Sequence, residues 1–139
     1  MQVKRIMGIG EQLAGEMRQL ILSIDDQELN VDAALNYINS QLQDNAAIGV
    51  FDDDNTCHGF VYVEKPNALY PTRGYLMFTC MHPTVTRHDA NSVFAILCDW
   101  LKEQGADHVW GWTYRNTDVI ARLYGFELAK EQQIRKDLK

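Results

Sequence analysis

The chain has 139 residues, enough for one domain with a core of ordinary size. Its net charge of −6 and pI near 5.1 argue against non-specific nucleic-acid binding, which needs lysine and arginine to neutralise phosphates. Hydrophobic residues make up 46%, yet no apolar run approaches the roughly 20 residues of a membrane helix, and the start MQVKRIMGIGEQ lacks the apolar stretch of a signal peptide.

In chain order, MQVKRIM reads as a short first strand. Residues 10–27 read as a helix, because Leu13, Met17, Leu20, Ile21 and Ile24 recur at helical spacing after Gly10. DDQELN breaks that pattern, and Val31, Ala34, Leu35, Ile38 and Leu42 resume it over 31–43 with Asn30 as N-cap. The period then changes to that of strands. AAIGVF (46–51) and HGFVYVEK (58–65) flank DDDNTC, a hairpin turn whose Asp52, Asp53 and Asp54 read as solvated turn residues rather than a calcium loop.

PNALYPTRG (66–74) is a loop. YLMFTCM (75–81) is a continuous apolar run, as expected of a central strand buried on both faces. A helix over 88–103 carries Val93, Phe94, Leu97, Trp100 and Leu101 on one stripe and stops at Gly105. HVWGWTY (108–114) is a strand, a short helix follows over about 117–124, and GFELAK (125–130) with QQIRKDL (132–138) read as closing strands. This order predicts a mixed α/β domain spanning 1–139. The handedness of crossovers makes the strands at 75–81 and 108–114 parallel, with helix 88–103 across the sheet. Ligands in such sheets sit beyond the carboxyl ends of the strands, which here brings MHPTVTRHDANS (81–92) beside TYRNTD (113–118).

Cys57, Cys80 and Cys98 are odd in number, widely spaced and free of CxxC. Cys80 and Cys98 sit inside apolar runs and read as reduced core residues of a cytoplasmic protein, and no metal site is expected from the cysteines or from the four scattered histidines. Cys80 sits in an apolar strand and lacks the electropositive setting of a nucleophilic thiolate. Trp110 and Trp112 share one strand face and read as core packing.

The element order, Met81-His82-Pro83 at the end of the fourth strand, Asn116 after HVWGWTYR, and Gly125-Phe126 opening the next strand together resemble the GNAT superfamily of acyl-CoA-dependent N-acyltransferases. The resemblance covers essentially the whole chain. It implies a twisted, mostly antiparallel sheet of six to seven strands with flanking helices, and transfer of an acetyl group from acetyl-CoA to an amine of a small molecule or protein. The family's R/Q-x-x-G-x-G/A holds the CoA pyrophosphate on backbone N–H groups at a helix start. Here Arg87 matches the first position, Ala90 the first glycine and Ser92 the last small residue. An offset of one residue instead puts Thr86 first and Asp89 on the glycine.

By this resemblance Cys80, Met81, Arg87, His88, Ala90, Asn91, Ser92 and Asn116 contact acetyl-CoA, and a backbone N–H at 79–81 meets the oxyanion. His82 and Glu64 are the base candidates. The family's acid tyrosine falls on Ala121, which leaves Tyr114 and Tyr124 as acid candidates. Thr86-x-x-Asp89 also resembles a capping box, in which side chains rather than a ligand take the helix N–H groups. The resemblance therefore extends to a second reading: a catalytically inactive GNAT-fold binding or structural protein, such as the accessory or virion components known from tailed phages. An acidic loop with Asp25, Asp26 and Glu28 would suit a cationic acceptor. An edge strand at 132–138 or exposed tryptophan faces would support a homodimer, and no nucleic-acid or membrane partner is expected.

Overall fold

The computed structural model describes residues 1–24, 26–111, 125–127 and 135–138. Their elements are β1 (Gln2–Ile6), α1 (Glu11–Leu22), α2 (Val31–Gln41), β2 (Ala46–Phe51), β3 (Cys57–Glu64), β4 (Arg73–Met81), α3 (Arg87–Glu103) and β5 (His108–Gly111). The strands form one sheet in chain order. Every described pairing is antiparallel except that of β4 with β5, which is parallel as the crossover rule requires. Five strands stand among the described residues, against the six to seven expected. The segments assigned to the last two lie largely outside them, and the described residues 125–127 and 135–138 carry no strand. No described helix is long and apolar enough to cross a membrane.

Local sequence sets most boundaries. Asn30 caps α2 as expected, its side chain accepting from the Ala33 N–H at 3.0 Å. The first helix ends at Leu22, short of the expected 27. The Ser23 hydroxyl and N–H both turn back to the Leu20 carbonyl, and the Ile24 N–H bonds Ile21, so the backbone closes on itself there. The hairpin turn forms where the acidic run predicts it. The Asp52 carboxylate accepts from the N–H groups of Asp54 and Thr56 at 2.9 and 3.0 Å, and Asn55 takes the left-handed φ of 62° that asparagine tolerates.

Two apolar clusters cover the sheet. On one face Met17, Ile21 and Ile38 of α1 and α2 meet Phe60 and Tyr62 of β3. On the other, Val93, Leu97 and Leu101 of α3 meet Ile48, Val50, Val61 and Val63. Strands β2 and β3 are therefore the ones buried on both faces. The expectation that 75–81 would be so buried is corrected: in β4, Met77 and Thr79 are exposed, and Tyr75, Leu76 and Phe78 only half-buried. The reason is placement, since α3 lies mainly across β2 and β1 rather than β4. In β4, Gly74 makes room for Leu101, whose side chain would stand 2.7 Å from a Cβ at that position.

Candidate functional site

Strand β4 sets the site in two steps. Tyr62 pairs with Phe78 but Val63 with Leu76, so Met77 is an extra residue, a β-bulge that bends the strand. The described pairing of β4 with β5 stops just before it, at Leu76 and Gly111. Past the bulge β4 runs on to Met81. Gly59 of β3 lies close beneath that end, where a Cβ would stand 2.5 Å from the Met81 sulfur and 3.2 Å from the Cys80 carbonyl. The His82 N–H continues the ladder to the His58 carbonyl at 2.9 Å.

The chain then turns sharply. The Val85 N–H bonds the His82 carbonyl at 3.0 Å, with Pro83 at the turn position its fixed φ favours. The Thr84 N–H bonds His82 Nδ1 at 3.2 Å. Helix α3 starts at once behind this turn. Thr86 caps it: its hydroxyl oxygen accepts from the Asp89 N–H and the hydroxyl donates to the Asp89 carboxylate, both at 3.1 Å. The Ala90 N–H takes the Thr86 carbonyl at 3.0 Å. Among the described residues, the N–H groups of Arg87 and His88 have no acceptor. The helix start thus keeps two free donors beside the exposed Arg87 guanidinium, and one carboxylate that Thr86 holds in place.

The predicted residues fall into three groups. Met81, His82, Arg87, His88 and Asn91 gather around this turn and helix start. Ala90 is buried, and the Ser92 hydroxyl bonds the His88 carbonyl at 3.1 Å. Cys80 is buried on the sheet face that α1 and α2 cover. Glu64 lies at the other end of β3, opposite Tyr75, and six residues of strand put it about 20 Å from the carboxyl end of β4. It accepts hydrogen bonds from the hydroxyls of Tyr37 and of Tyr62, the latter at 2.8 Å. Burial and then the Glu64 carboxylate hold the Tyr62 phenol above its ordinary value, and the bond to Glu64 does the same for Tyr37. Tyr114, Asn116 and Tyr124 lie outside the described residues, as does Trp112. Trp110 stacks on the Arg73 guanidinium at 3.8 Å.

Beside the turn lies a cleft of about 310 Å³ between α1 and the ends of β3 and β4. Leu20, Cys57 and Met81 give it apolar walls, and Glu16, His58 and His82 give it polar ones. Burial pushes the Cys57 thiol up to about 11, so it stays a thiol at neutral pH. Two residues here were not singled out from sequence as functional. His58 Nε2 stands 2.7 Å from the Asp52 carboxylate, and His58 Nδ1 stands 3.4 Å from the Thr84 hydroxyl oxygen. That hydroxyl is in turn 2.9 Å from His82 Nδ1. A carboxylate only accepts, so neutral His58 carries its proton on Nε2 and its lone pair on Nδ1, toward Thr84. For His82 the Thr84 N–H already occupies Nδ1, so neutral His82 carries its proton on Nε2 and has no free lone pair.

The bond to His58 is the main reason the Asp52 carboxyl sits below its ordinary value of 3.8, with the Thr56 N–H next. A lowered carboxyl adds stability that is present above the ordinary value and is lost as pH falls through the folded one. Urea midpoints of the wild type should therefore drop on acidification from pH 5 to 3 by more than those of Asp52→Asn. Equal slopes would show that the pair contributes nothing to folding.

No protein-family model matches the chain, and no curated protein matches it in sequence. Solved structures do. It resembles the ribosomal-protein-alanine N-acetyltransferase of Brucella melitensis biovar Abortus 2308 at 15% identity and TM-score 0.69, over 99% of this chain and 100% of that one. It resembles an aminoglycoside N-acetyltransferase in complex with CoA at 15% identity and TM-score 0.70, over 98% of each chain. It also resembles the NatC complex bound to Gag peptide and CoA at 16% identity and TM-score 0.70, over 90% of this chain and 82% of that one.

Proposed function

We propose, on the premise that this chain has the GNAT fold over its whole length, that it moves an acetyl group from acetyl-CoA to a primary amine. The observation that carries this is the passage from bulged β4 through the His82–Val85 turn into α3. It leaves the Arg87 and His88 N–H groups free, next to an exposed guanidinium and beside a cleft. These residues fit a pyrophosphate: free N–H donors at a helix start, favoured by the helix dipole, with a cation alongside. Asn91 and Ser92 follow on the first turns of the same helix.

Acetyl-CoA supplies the activated acetyl group. The chain's own part is to hold it along β4, where a backbone N–H at 79–81 faces the charge that develops on the carbonyl oxygen. One such preorganised donor is worth about 3–4 kcal/mol. Tyr114 or Tyr124 would protonate the departing sulfur, and Asn116 would line the same strand end. The acceptor belongs to the amines. The solved structures it resembles include an aminoglycoside acetyltransferase and a complex that holds a peptide, and either kind of amine suits an acidic chain. The odd number and wide spacing of Cys57, Cys80 and Cys98 accord with the reducing cytoplasm.

One feature favours a second reading. The Thr86 cap and the Asp89 carboxylate already satisfy part of the helix start, as they would in a GNAT-fold protein that has given up catalysis for a binding or structural role, for example as a phage accessory or virion component. Release of free thiol from acetyl-CoA in the presence of small amines and of N-terminal peptides separates the two. The enzyme reading expects release well above the protein-free rate for at least one amine class. Tight acetyl-CoA binding with no release for any amine would establish the second.

A further inference from the structure

We infer that the cleft between α1 and the ends of β3 and β4 is the acceptor-amine site, and that His58, held by Asp52, is the residue that takes the amine's proton through Thr84. The inference deepens the acetyltransferase reading and rests on it.

An amine at neutral pH is an ammonium, and its nitrogen has no lone pair until a proton leaves. A site for it needs negative charge to attract it and a poised base to deprotonate it. The cleft offers both. Glu16 stands on its wall, one carboxylate oxygen accepting from the Cys57 N–H at 3.0 Å and the other from the Gln12 amide at 3.1 Å. Asp52 stands behind His58. The floor between them, of Leu20 and Cys57, suits an amine on a short apolar body rather than a polycation.

Among the cleft's histidines only His58 has both halves of a base. Its Nε2–H is fixed on a carboxylate, which sets the tautomer and stabilises the imidazolium that forms. Its Nδ1 lone pair points at a hydroxyl that borders the cofactor turn. His82, the base candidate read from sequence, spends its Nδ1 on closing that turn. Its ring stands edge-on to His58, 6.2 Å between centroids, and its Nδ1 is the nearer acceptor for the one Thr84 hydroxyl proton, 2.9 Å against 3.4 Å to His58 Nδ1, so the hydroxyl must turn from His82 to His58 for the relay.

The proton path balances. The Thr84 hydroxyl turns from His82 to His58, and the ammonium N–H gives its proton to the Thr84 oxygen as the hydroxyl proton passes to His58 Nδ1, leaving a neutral amine and an imidazolium against Asp52. The amine nitrogen then bonds the thioester carbon, the C–S bond breaks, the tyrosine acid proposed above protonates the sulfur to free thiol, and the nitrogen's surplus proton replaces the one the tyrosine gave. His58 returns its proton to water.

The test uses the full chain with phenethylamine, an ammonium on a short apolar body, and two readouts. The first needs no acetyl-CoA. Titrating phenethylamine should move the His58 ring and Leu20 methyl NMR signals, and His58→Gln should weaken that binding little. The second is thiol release from acetyl-CoA with phenethylamine across pH 6–9. His58→Gln should lower kcat about 100-fold or more, the scale of a lost general base, with KM for acetyl-CoA unchanged. Thr84→Val should fall likewise and Thr84→Ser recover. Asp52→Asn keeps the turn's acceptor oxygen but offers His58 an N–H, which swaps the tautomer, so it should lose kcat while folding normally. Unmoved His58 and Leu20 signals at millimolar amine would overturn the site. An unchanged kcat and pH profile in His58→Gln would overturn the base. Amine binding here in a protein that fails to bind acetyl-CoA would support the amine site while removing the acetyltransferase reading.

Discussion

Leu97→Ala is expected to lower the free energy of unfolding by about 2–5 kcal/mol, read as the shift of a urea or thermal transition. Leu97 is fully buried on α3, against a sheet face lined by Ile48, Val50, Val61 and Val63. Truncation removes apolar area and leaves a cavity between a rigid helix and a rigid sheet, where little can collapse to fill it. A protein of this size has about 5–15 kcal/mol in all, so the change takes a large share. It also bears on function, because α3 carries the free donors of Arg87 and His88 at its start. A loss below about 1 kcal/mol would mean that α3 does not rest on that face.

Phe60→Ala should cost about 3–5 kcal/mol by the same reasoning on the opposite face. Phe60 is fully buried among Met17, Ile21 and Ile38, next in sequence to Val61, which faces α3. Strand alternation sends the two neighbours into separate cores. The double variant with Leu97→Ala should therefore add to within about 0.5 kcal/mol, as independent sites do, if its remaining stability can still be measured. Strong coupling would contradict two cores divided by the sheet.

Much of this was legible from periodicity. The helices at 31–43 and 88–103 and the strands at 46–51 and 58–65 appear within one or two residues of where spacing and capping put them, because Asn30, Thr86 and the DDDNT turn are strong local signals. The burial of β4 was misread. An apolar run says what a strand can bury, and only the placement of α3 over β1 and β2 decides which strand is covered. At the site, Thr86-x-x-Asp89 was readable as a cap and is one. The Asp52–His58 pair was missed although both residues flank the predicted hairpin. Their meeting depends on the register shift at Val50/Phe51, and the link to Thr84 depends on Gly59 pairing with Met81, neither of which has a signature of its own.

A calorimetric titration of the protein with acetyl-CoA tests whether the start of α3 holds the cofactor. The wild type is expected to bind in the micromolar range, and Arg87→Glu, which sets a carboxylate beside the free N–H groups at the start of α3, to lose that binding. Absence of binding by the wild type at millimolar acetyl-CoA, or equal affinity in Arg87→Glu, would rule out a cofactor site there.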